Sequence, residues 1–332
     1  VRVSVELSHQ LHPDEWARRH TNGEVPDHWP YGLDRLARHG VQPVLRPPRR
    51  GLVTERVGRA ARHRLGGYEW MDALRFNDCD AVLCWDEYSG VPAALRERRK
   101  PVVTGVVWLT DEVAPMTARF ARWALPRAEL VWASSSAMIP RLRSDWGVRR
   151  AHHIPLGIDT DFFHVRPGSE PGLVVSAGND RHRDHGMLVR AVRRVPGARL
   201  EIATRLPVDP AVARPGLSEG QIRGLYARAS VVAIATTPNV HASGLTVTLE
   251  AMASGRPVVI PDTPGLMDYV VGAETGLVYP AGDEDELAKC VQRLLSDSAM
   301  AAELGAAGRR KVEREFSTEL QAARLAELML RM

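Results

Sequence analysis

The first seven residues, Val1-Arg-Val-Ser-Val-Glu-Leu7, alternate apolar and polar side chains as a strand does. Short, β-rich apolar runs recur at Val41–Leu45, Ala81–Cys84, Val102–Val107 and Leu130–Ala133. Between them lie stretches of helical spacing near Tyr31–Arg38, Tyr68–Arg75 and Thr117–Trp123. Strands this short and apolar suit a sheet covered on both faces, and their alternation with helices predicts a parallel α/β unit. The pattern lapses at Phe163–Gly172, which carries His-Val-Arg-Pro-Gly-Ser-Glu-Pro-Gly, and restarts with the strand Leu173–Ser176. Helices over Met187–Val195, Glu219–Ala229, Thr246–Ala253 and Glu284–Leu295 then alternate with strands over Leu200–Ala203, Val231–Ala235 and Pro257–Ile260. The expected fold class is α/β: two Rossmann-like doubly wound domains facing a central cleft. Residues 1–163 form the first domain and residues 164–315 the second, with 316–332 a C-terminal helix crossing back onto the first. At 332 residues each domain is large enough to bury its own core.

Composition narrows the class. The chain has 44 Lys+Arg against 40 Asp+Glu, a formal charge of +4, with 44% hydrophobic residues, so disorder, collagen and disulfide scaffolds are out. Of the basic residues 41 are Arg and 3 are Lys, a charge that permits anionic ligands without demanding nucleic acid. No basic motif is interleaved with aromatics, so no nucleic-acid partner is expected. Cys79, Cys84 and Cys290 form no CxxC pair and no zinc spacing and read as buried thiols. No apolar run approaches the roughly 20 residues of a membrane helix, and no charged head with an apolar run opens the chain. The expectation is a cytoplasmic protein. Arg35–Arg64 holds nine arginines and one acidic residue, Glu55, with a helical pattern over Thr54–Arg64. A solvated face accounts for such a run, and peripheral contact with anionic lipid at the inner membrane face is the other reading. All eight tryptophans, from Trp16 to Trp146, lie in the first half, as core packing or as platforms for sugar and aglycone faces.

Ligands of parallel α/β sheets bind outside the carboxyl ends of the strands. Two loops there have suitable chemistry. In Ser176-Ala-Gly-Asn-Asp-Arg-His-Arg-Asp-His-Gly186, Gly178 allows close backbone approach, and Arg181 and Arg183 offer charge-assisted bonds to phosphate. In the second, Ser243-Gly244 opens a helix whose unpaired amides and positive dipole end favour a diphosphate. Glu250 lies about two turns in, among apolar Leu249, Ala251, Met252 and Ala253, where a carboxylate needs a partner or a ligand such as vicinal ribose hydroxyls.

The string Gly244-Leu-Thr-Val-Thr-Leu-Glu-Ala-Met-Ala-Ser-Gly-Arg-Pro-Val-Val259 resembles the donor half of the family-4 retaining glycosyltransferases of GT-B fold. It is followed by Gly265-Leu-Met-Asp-Tyr-Val270, Glu274-Thr-Gly-Leu-Val-Tyr-Pro280 and Gly282-Asp283, which fit the same pattern. His153-Ile-Pro-Leu-Gly-Ile-Asp-Thr-Asp-Phe162 is similar to that family's interdomain segment, and Tyr226-Ala-Arg-Ala-Ser230 to its next helix. The likeness covers about residues 128–320, and the first 125 match in pattern only. It implies transfer of a sugar from a nucleoside-diphosphate sugar to an acceptor hydroxyl, with retention and without a metal or other cofactor. The first domain would hold the acceptor, whether natural-product aglycone, lipid-linked sugar or polysaccharide, and the second the donor. By the same likeness Ser243, Gly244, Leu245 and Thr246 would meet the diphosphate and Glu250 the ribose. The family's Arg and Lys of the earlier loop fall on Asn179 and Arg183, with Arg181 available to supply the charge lost at Asn179. The first of the family's paired glutamates falls on Ala242. On the acceptor side, Trp108-Leu-Thr-Asp-Glu112 follows a strand, making Asp111 and Glu112 candidates beside Arg183 for the reaction centre. A non-catalytic sugar-nucleotide binder or partner subunit is the alternative, motivated by Ala242 and Asn179. A dinucleotide-binding oxidoreductase is disfavoured because no GxGxxG follows an early strand.

Overall fold

The computed structural model describes residues 1–7, 12–46, 58, 60–62, 64–70, 78–109 and 112–332. They form two compact units: Val1–Arg18, His28–Pro155 and Gln321–Met332 in one, Arg19–Asp27 and Leu156–Leu320 in the other. Asp111 and residues 71–75 of the expected helix near Tyr68 lie outside the described residues, as does most of Thr54–Arg64.

In the first unit the strands are β1 (Arg2–Glu6), β2 (Gln42–Leu45), β3 (Ala81–Cys84), β4 (Val102–Gly105), β5 (Leu130–Ala133) and β6 (Ala151–His153), all parallel, in the order β2-β1-β3-β4-β5-β6. The alternation in β1 does not mark a half-exposed strand. Ser4 and Glu6 are buried like Val3 and Val5, and the Ser4 hydroxyl donates to Glu6 Oε1 at 2.8 Å, so the polar pair satisfies itself. The helices are α1 (Pro13–Thr21), whose last residues from Arg19 belong to the other unit, α2 (Glu87–Arg96), α3 (Pro115–Ala124) and α4 (Met138–Ser144). The pattern near Tyr31–Arg38 is a 3₁₀ segment, Pro30–His39, broken by positive φ at Tyr31 (62°) and Gly32 (64°) and closed by Gly40.

Helix α2 escapes periodicity because Gly90 and Pro92 interrupt it. Pro92 has no N–H for the carbonyl of Tyr88, and that carbonyl instead accepts the N–H of Glu69 at 2.8 Å. A Cβ on Gly90 would lie 1.8 Å from Thr104 Oγ1, so the glycine is what lets α2 lie against β4.

The second unit has β7 (Leu173–Ala177), β8 (Arg199–Ala203), β9 (Val231–Ala233), β10 (Val258–Pro261) and β11 (Leu277–Tyr279), parallel in the order β11-β10-β9-β7-β8. Its helices are α5 (His185–Arg193), α6 (Glu219–Arg228), α7 (Leu245–Ala253), α8 (Glu284–Ser296) and α9 (Ser298–Glu315), followed by α10 (Thr318–Leu330), whose last residues belong to the first unit. Helix α7 is apolar on nearly every side and is buried accordingly from Leu245 to Ala253, except at exposed Thr246 and half-buried Glu250. Helix α9 approaches the end of α7 closely: a Cβ on Gly305 would stand 2.3 Å from the carbonyl of Gly255. All three cysteines are free and buried, as expected. Among the described residues no helix is long and apolar enough to cross a membrane.

Candidate functional site

At the carboxyl end of the second sheet, β7 runs into residues 178–184 and β9 into residues 234–244. A short antiparallel ladder zips the two loops: the Asp184 amide donates to the Ala235 carbonyl at 2.9 Å and the Thr237 amide to the His182 carbonyl at 2.8 Å. The ladder carries Arg183 inward. Only 7% of Arg183 is exposed, its Nη2 bonds the Ala177 carbonyl, and Nε and Nη1 have no partner. Among the described residues no carboxylate pairs with it. Burial alone holds its pKa down at about 10, against favourable fields from Tyr226, Asp180 and Tyr279.

Two glycines make room for this side chain. At Gly178 (φ 128°) a Cβ would lie 2.7 Å from Arg183 Nε, and at Gly244 (φ 92°) 2.5 Å from Nη1. Gly244 is also the cap of α7, and no side chain caps that helix. The first amides of the loop are spoken for, with Ser243 N–H donating to Asn239 Oδ1 and Leu245 N–H to the Ala242 carbonyl, both at 2.9 Å. Among the described residues those of Thr246 and Val247, in the first turn of the helix, have no backbone partner, and Thr246 is exposed. A buried cation with two idle nitrogens beside an uncapped helix start is an arrangement suited to a multiply charged anion.

Glu250, one face further along α7, accepts a hydrogen bond from the Tyr226 hydroxyl at 2.8 Å on Oε2. Burial, opposed by that bond and assisted by Glu219, pushes its pKa up to about 8. No described residue donates to its Oε1, leaving an acceptor for hydroxyl groups. Tyr226, fully buried on α6, feels both Glu250 and Arg183, linking the two ends of the site.

The remaining expected residues are placed differently. Asn179 Oδ1 accepts the Arg205 amide at 2.6 Å, which ties the loop to the end of β8. Arg181 is exposed, with Nε directed at His182 Nε2 at 3.3 Å. Ala242 has φ 62° and is buried, so the backbone turns there with no carboxylate on it. His185, unmarked by the sequence reading, is held down at about 4 by burial and then by Arg183, and its Nε2 bonds the Gly178 carbonyl at 3.0 Å.

In the first unit Glu112 is exposed. Sequence reasoning passed over Asp86 and Glu87, the carboxylates that organise this end of the sheet. Asp86 caps α2, accepting from the amides of Tyr88 and Ser89. Glu87 is buried and accepts the amides of Val107 and Trp108 at 2.8 and 2.7 Å, fixing the loop that leads to Glu112. Burial, then the charge of Asp86, raises its pKa to about 7. Two adjacent acids directly after an apolar strand were the available signal. Of the tryptophans, Trp85, Trp132 and Trp146 are core residues, and the Tyr31 ring stacks on Trp85 at 3.9 Å.

Residues 174–297 match the family model "Glycosyl transferases group 1". Over 249 residues the chain is 31% identical to the GDP-mannose-dependent alpha-(1-6)-phosphatidylinositol monomannoside mannosyltransferase of Mycolicibacterium smegmatis, covering 63% of this chain and 65% of that protein. It is also 31% identical over 255 residues to the MMP alpha-(1->4)-mannosyltransferase of Mycolicibacterium hassiacum, covering 70% of this chain and 59% of that one. The chain thus spans less than two thirds of the length of these curated relatives. Among solved structures, a sucrose-phosphate synthase from Thermosynechococcus elongatus superposes with a TM-score of 0.73 at 18% identity, covering 99% of this chain and 98% of that one. Anabaena HepE, solved with UDP and glucose, gives 0.69 at 15% identity, covering 100% and 99%. Residues 174–297 of the chain thus resemble the group 1 glycosyl transferases, and its fold is that of the GT-B structures it superposes on.

Proposed function

We propose that this chain is a nucleotide-sugar-dependent glycosyltransferase, moving a glycosyl group from a nucleoside-diphosphate sugar to an acceptor hydroxyl. The observation that carries the reading is Arg183, a buried guanidinium with two unbonded nitrogens beside the open start of α7. As the bond from the anomeric carbon to the diphosphate breaks, negative charge grows on the leaving oxygen. Arg183 and the free amides of Thr246 and Val247 are fixed where that charge develops, so they stabilise it without reorganising. The diphosphate's charge is met by protein groups, and the transfer step needs no metal. Glu250, with Tyr226 on one oxygen, offers the other to the ribose hydroxyls, and a ligand donating to it favours the ionised carboxylate.

Retention is carried over from the resemblance to the family-4 enzymes, and the site bears on which retaining route would serve. A double displacement needs a carboxylate nucleophile close to the sugar. The position eight before Glu250 is Ala242, and the flanking acids Asp180 and Glu250 are already bonded to His241 and Tyr226. Attack by the acceptor hydroxyl on the face vacated by the diphosphate, with a phosphate oxygen taking its proton, leaves no such gap. The acceptor would be held by residues 1–163 and the donor by residues 164–315. The names of the mannosyltransferase relatives make GDP-mannose the first donor to test, with lipid-linked sugars, polysaccharides and natural-product aglycones as acceptors. Arg35–Arg64 would meet the membrane in the lipid-linked case.

The test is a thermal-shift panel of UDP, GDP and dTDP, followed by measurement of nucleoside diphosphate released from the matching sugar nucleotide with and without acceptor. The proposal expects one nucleotide to stabilise the protein and acceptor to raise the rate of release. Tight nucleotide binding with no release under any acceptor would favour the non-catalytic binder, the reading that Ala242 keeps open. No shift with any nucleotide would move the site elsewhere.

A further inference from the structure

Beside Arg183 the zipped loops bring together three side chains that the transfer chemistry does not use: Asp180, His182 and His241. One ligand-type atom from each lies within 4.8 Å of the others. Asp180 and His241 are 61 positions apart in sequence, yet Asp180 Oδ2 stands 2.9 Å from His241 Nε2. The two imidazole rings meet edge to face with centroids 4.9 Å apart. The scaffold around them is fixed. Asp180 Oδ1 accepts the His182 amide at 2.8 Å, which leaves Oδ2 for His241, and the His182 carbonyl accepts the Thr237 amide. The His182 ring is steadied in turn by a contact of 3.2 Å between Nδ1 and the Thr237 hydroxyl. His241 is 5% exposed, whereas Asp180 and His182 are half-buried, so the cluster has a sealed back and an open front.

We infer that Asp180, His182 and His241 form a binding site for a late first-row divalent cation of the zinc class. Two imidazoles and one carboxylate are ligands that Zn²⁺, Co²⁺ and Ni²⁺ take readily, while Mg²⁺ and Ca²⁺ prefer all-oxygen sets. Zinc bonds of about 2.0–2.2 Å in a tetrahedron place ligand atoms about 3.4 Å apart, so the Asp180–His241 pair, now at 2.9 Å, opens by about 0.5 Å and the wider pairs, within 4.8 Å, close by at most about 1.4 Å. The Asp180–His241 hydrogen bond opens on binding, and the proton between them leaves as the ion enters. Three protein ligands leave the fourth position to water. Arg181 and Arg183 are the cations facing the cluster. The first is exposed, with Nε 3.3 Å from His182 Nε2, and must swing clear of that nitrogen on binding, and the second points toward Gly178 and Gly244. The ion would clip the loop after β7 to the loop before α7, holding the two walls between which Arg183 sits. It takes no part in bond breaking.

The inference does not rest on the transferase reading, and its test contains no nucleotide. Full-length protein freed of metal with a chelator is titrated with Co²⁺, whose visible absorption bands are intense only in a tetrahedral site. The expected result is saturation at one equivalent, displacement by Zn²⁺, no competition from Mg²⁺, and a rise in melting temperature with added Zn²⁺. His241→Ala should abolish the bands. Because His241 is buried, the half-buried His182→Ala is the second variant, and it should weaken Co²⁺ binding at least about tenfold with the circular dichroism spectrum unchanged. Absence of a saturable band in the wild-type protein, or a band that persists at full strength in both variants, would overturn the assignment.

Discussion

Replacing Arg183 with methionine separates what this residue costs the fold from what it gives the ligand. Its pKa is held at about 10 instead of 12.5 by burial. At about 1.36 kcal/mol per unit this corresponds to roughly 3 kcal/mol charged against the folded state at neutral pH, where the group is protonated in both states. Methionine keeps the apolar stem and removes the charge. Losing the charge-assisted bond to the Ala177 carbonyl takes back about 1.5–3 kcal/mol, leaving a net gain of about 0–2 kcal/mol. For a unit of this size the melting temperature should hold or rise, by up to roughly 8 °C, in the absence of ligand. Nucleotide affinity should move the other way. Two charge-assisted bonds to phosphate at about 1.5–3 kcal/mol each correspond to a loss of a hundredfold or more. Differential scanning fluorimetry of Arg183→Met without ligand reads the first effect, and calorimetric titration with the matching nucleoside diphosphate reads the second. A variant with wild-type nucleotide affinity would refute the ligand role. One less stable than wild type would refute the desolvation cost.

Two further substitutions probe the same site. Glu250 has a folded pKa of about 8 against an ordinary 4.5, so its contribution to stability is intact in acid and is lost as pH rises through that window. With allowance for its partial exposure the loss between about pH 5 and about pH 9 is on the order of 3 kcal/mol. Glu250→Gln should flatten that part of the pH profile in urea denaturation and abolish the nucleotide thermal shift, whereas parallel profiles for variant and wild type would contradict the buried-carboxylate account. Gly244→Ala places a Cβ 2.5 Å from Arg183 Nη1 and 2.7 Å from Ile234 Cγ2 at a φ of 92°. It should cost about 1–3 kcal/mol and lower nucleotide affinity at least tenfold, by denaturation and calorimetry, and an unchanged affinity would mean that the helix start is not where phosphate binds.

The legible part of this protein was local. An apolar run with one glutamate, opened by glycine and closed by Gly255-Arg-Pro, reads as a buried helix from neighbours within a few residues, and α7 is that helix. The parallel sheets follow from alternation alone. What the sequence conceals is pairing at a distance. Nothing near Glu250 names Tyr226, 24 positions earlier, as the group that holds it. Nothing near Asn179, where the family's loop Arg falls, names the Arg205 amide across the end of β8 as its partner. Glu87 is invisible as a buried group because its partners are backbone amides of a loop 20 residues later, which no side-chain pattern encodes. Helix α2 was missed because Pro92 removes its own hydrogen bond, and only the tertiary contact from Glu69 makes good the loss. In each case a partner supplied by the fold overrides a local preference.

The account stands most directly on where a nucleoside diphosphate sits. A crystal structure of the protein with the nucleotide that stabilises it should place phosphate oxygens within hydrogen-bond distance of Arg183 Nε or Nη1 and of the Thr246 and Val247 amides, with the ribose hydroxyls on Glu250. Phosphate density away from Arg183, with Glu250 still bonded only to Tyr226, would contradict it.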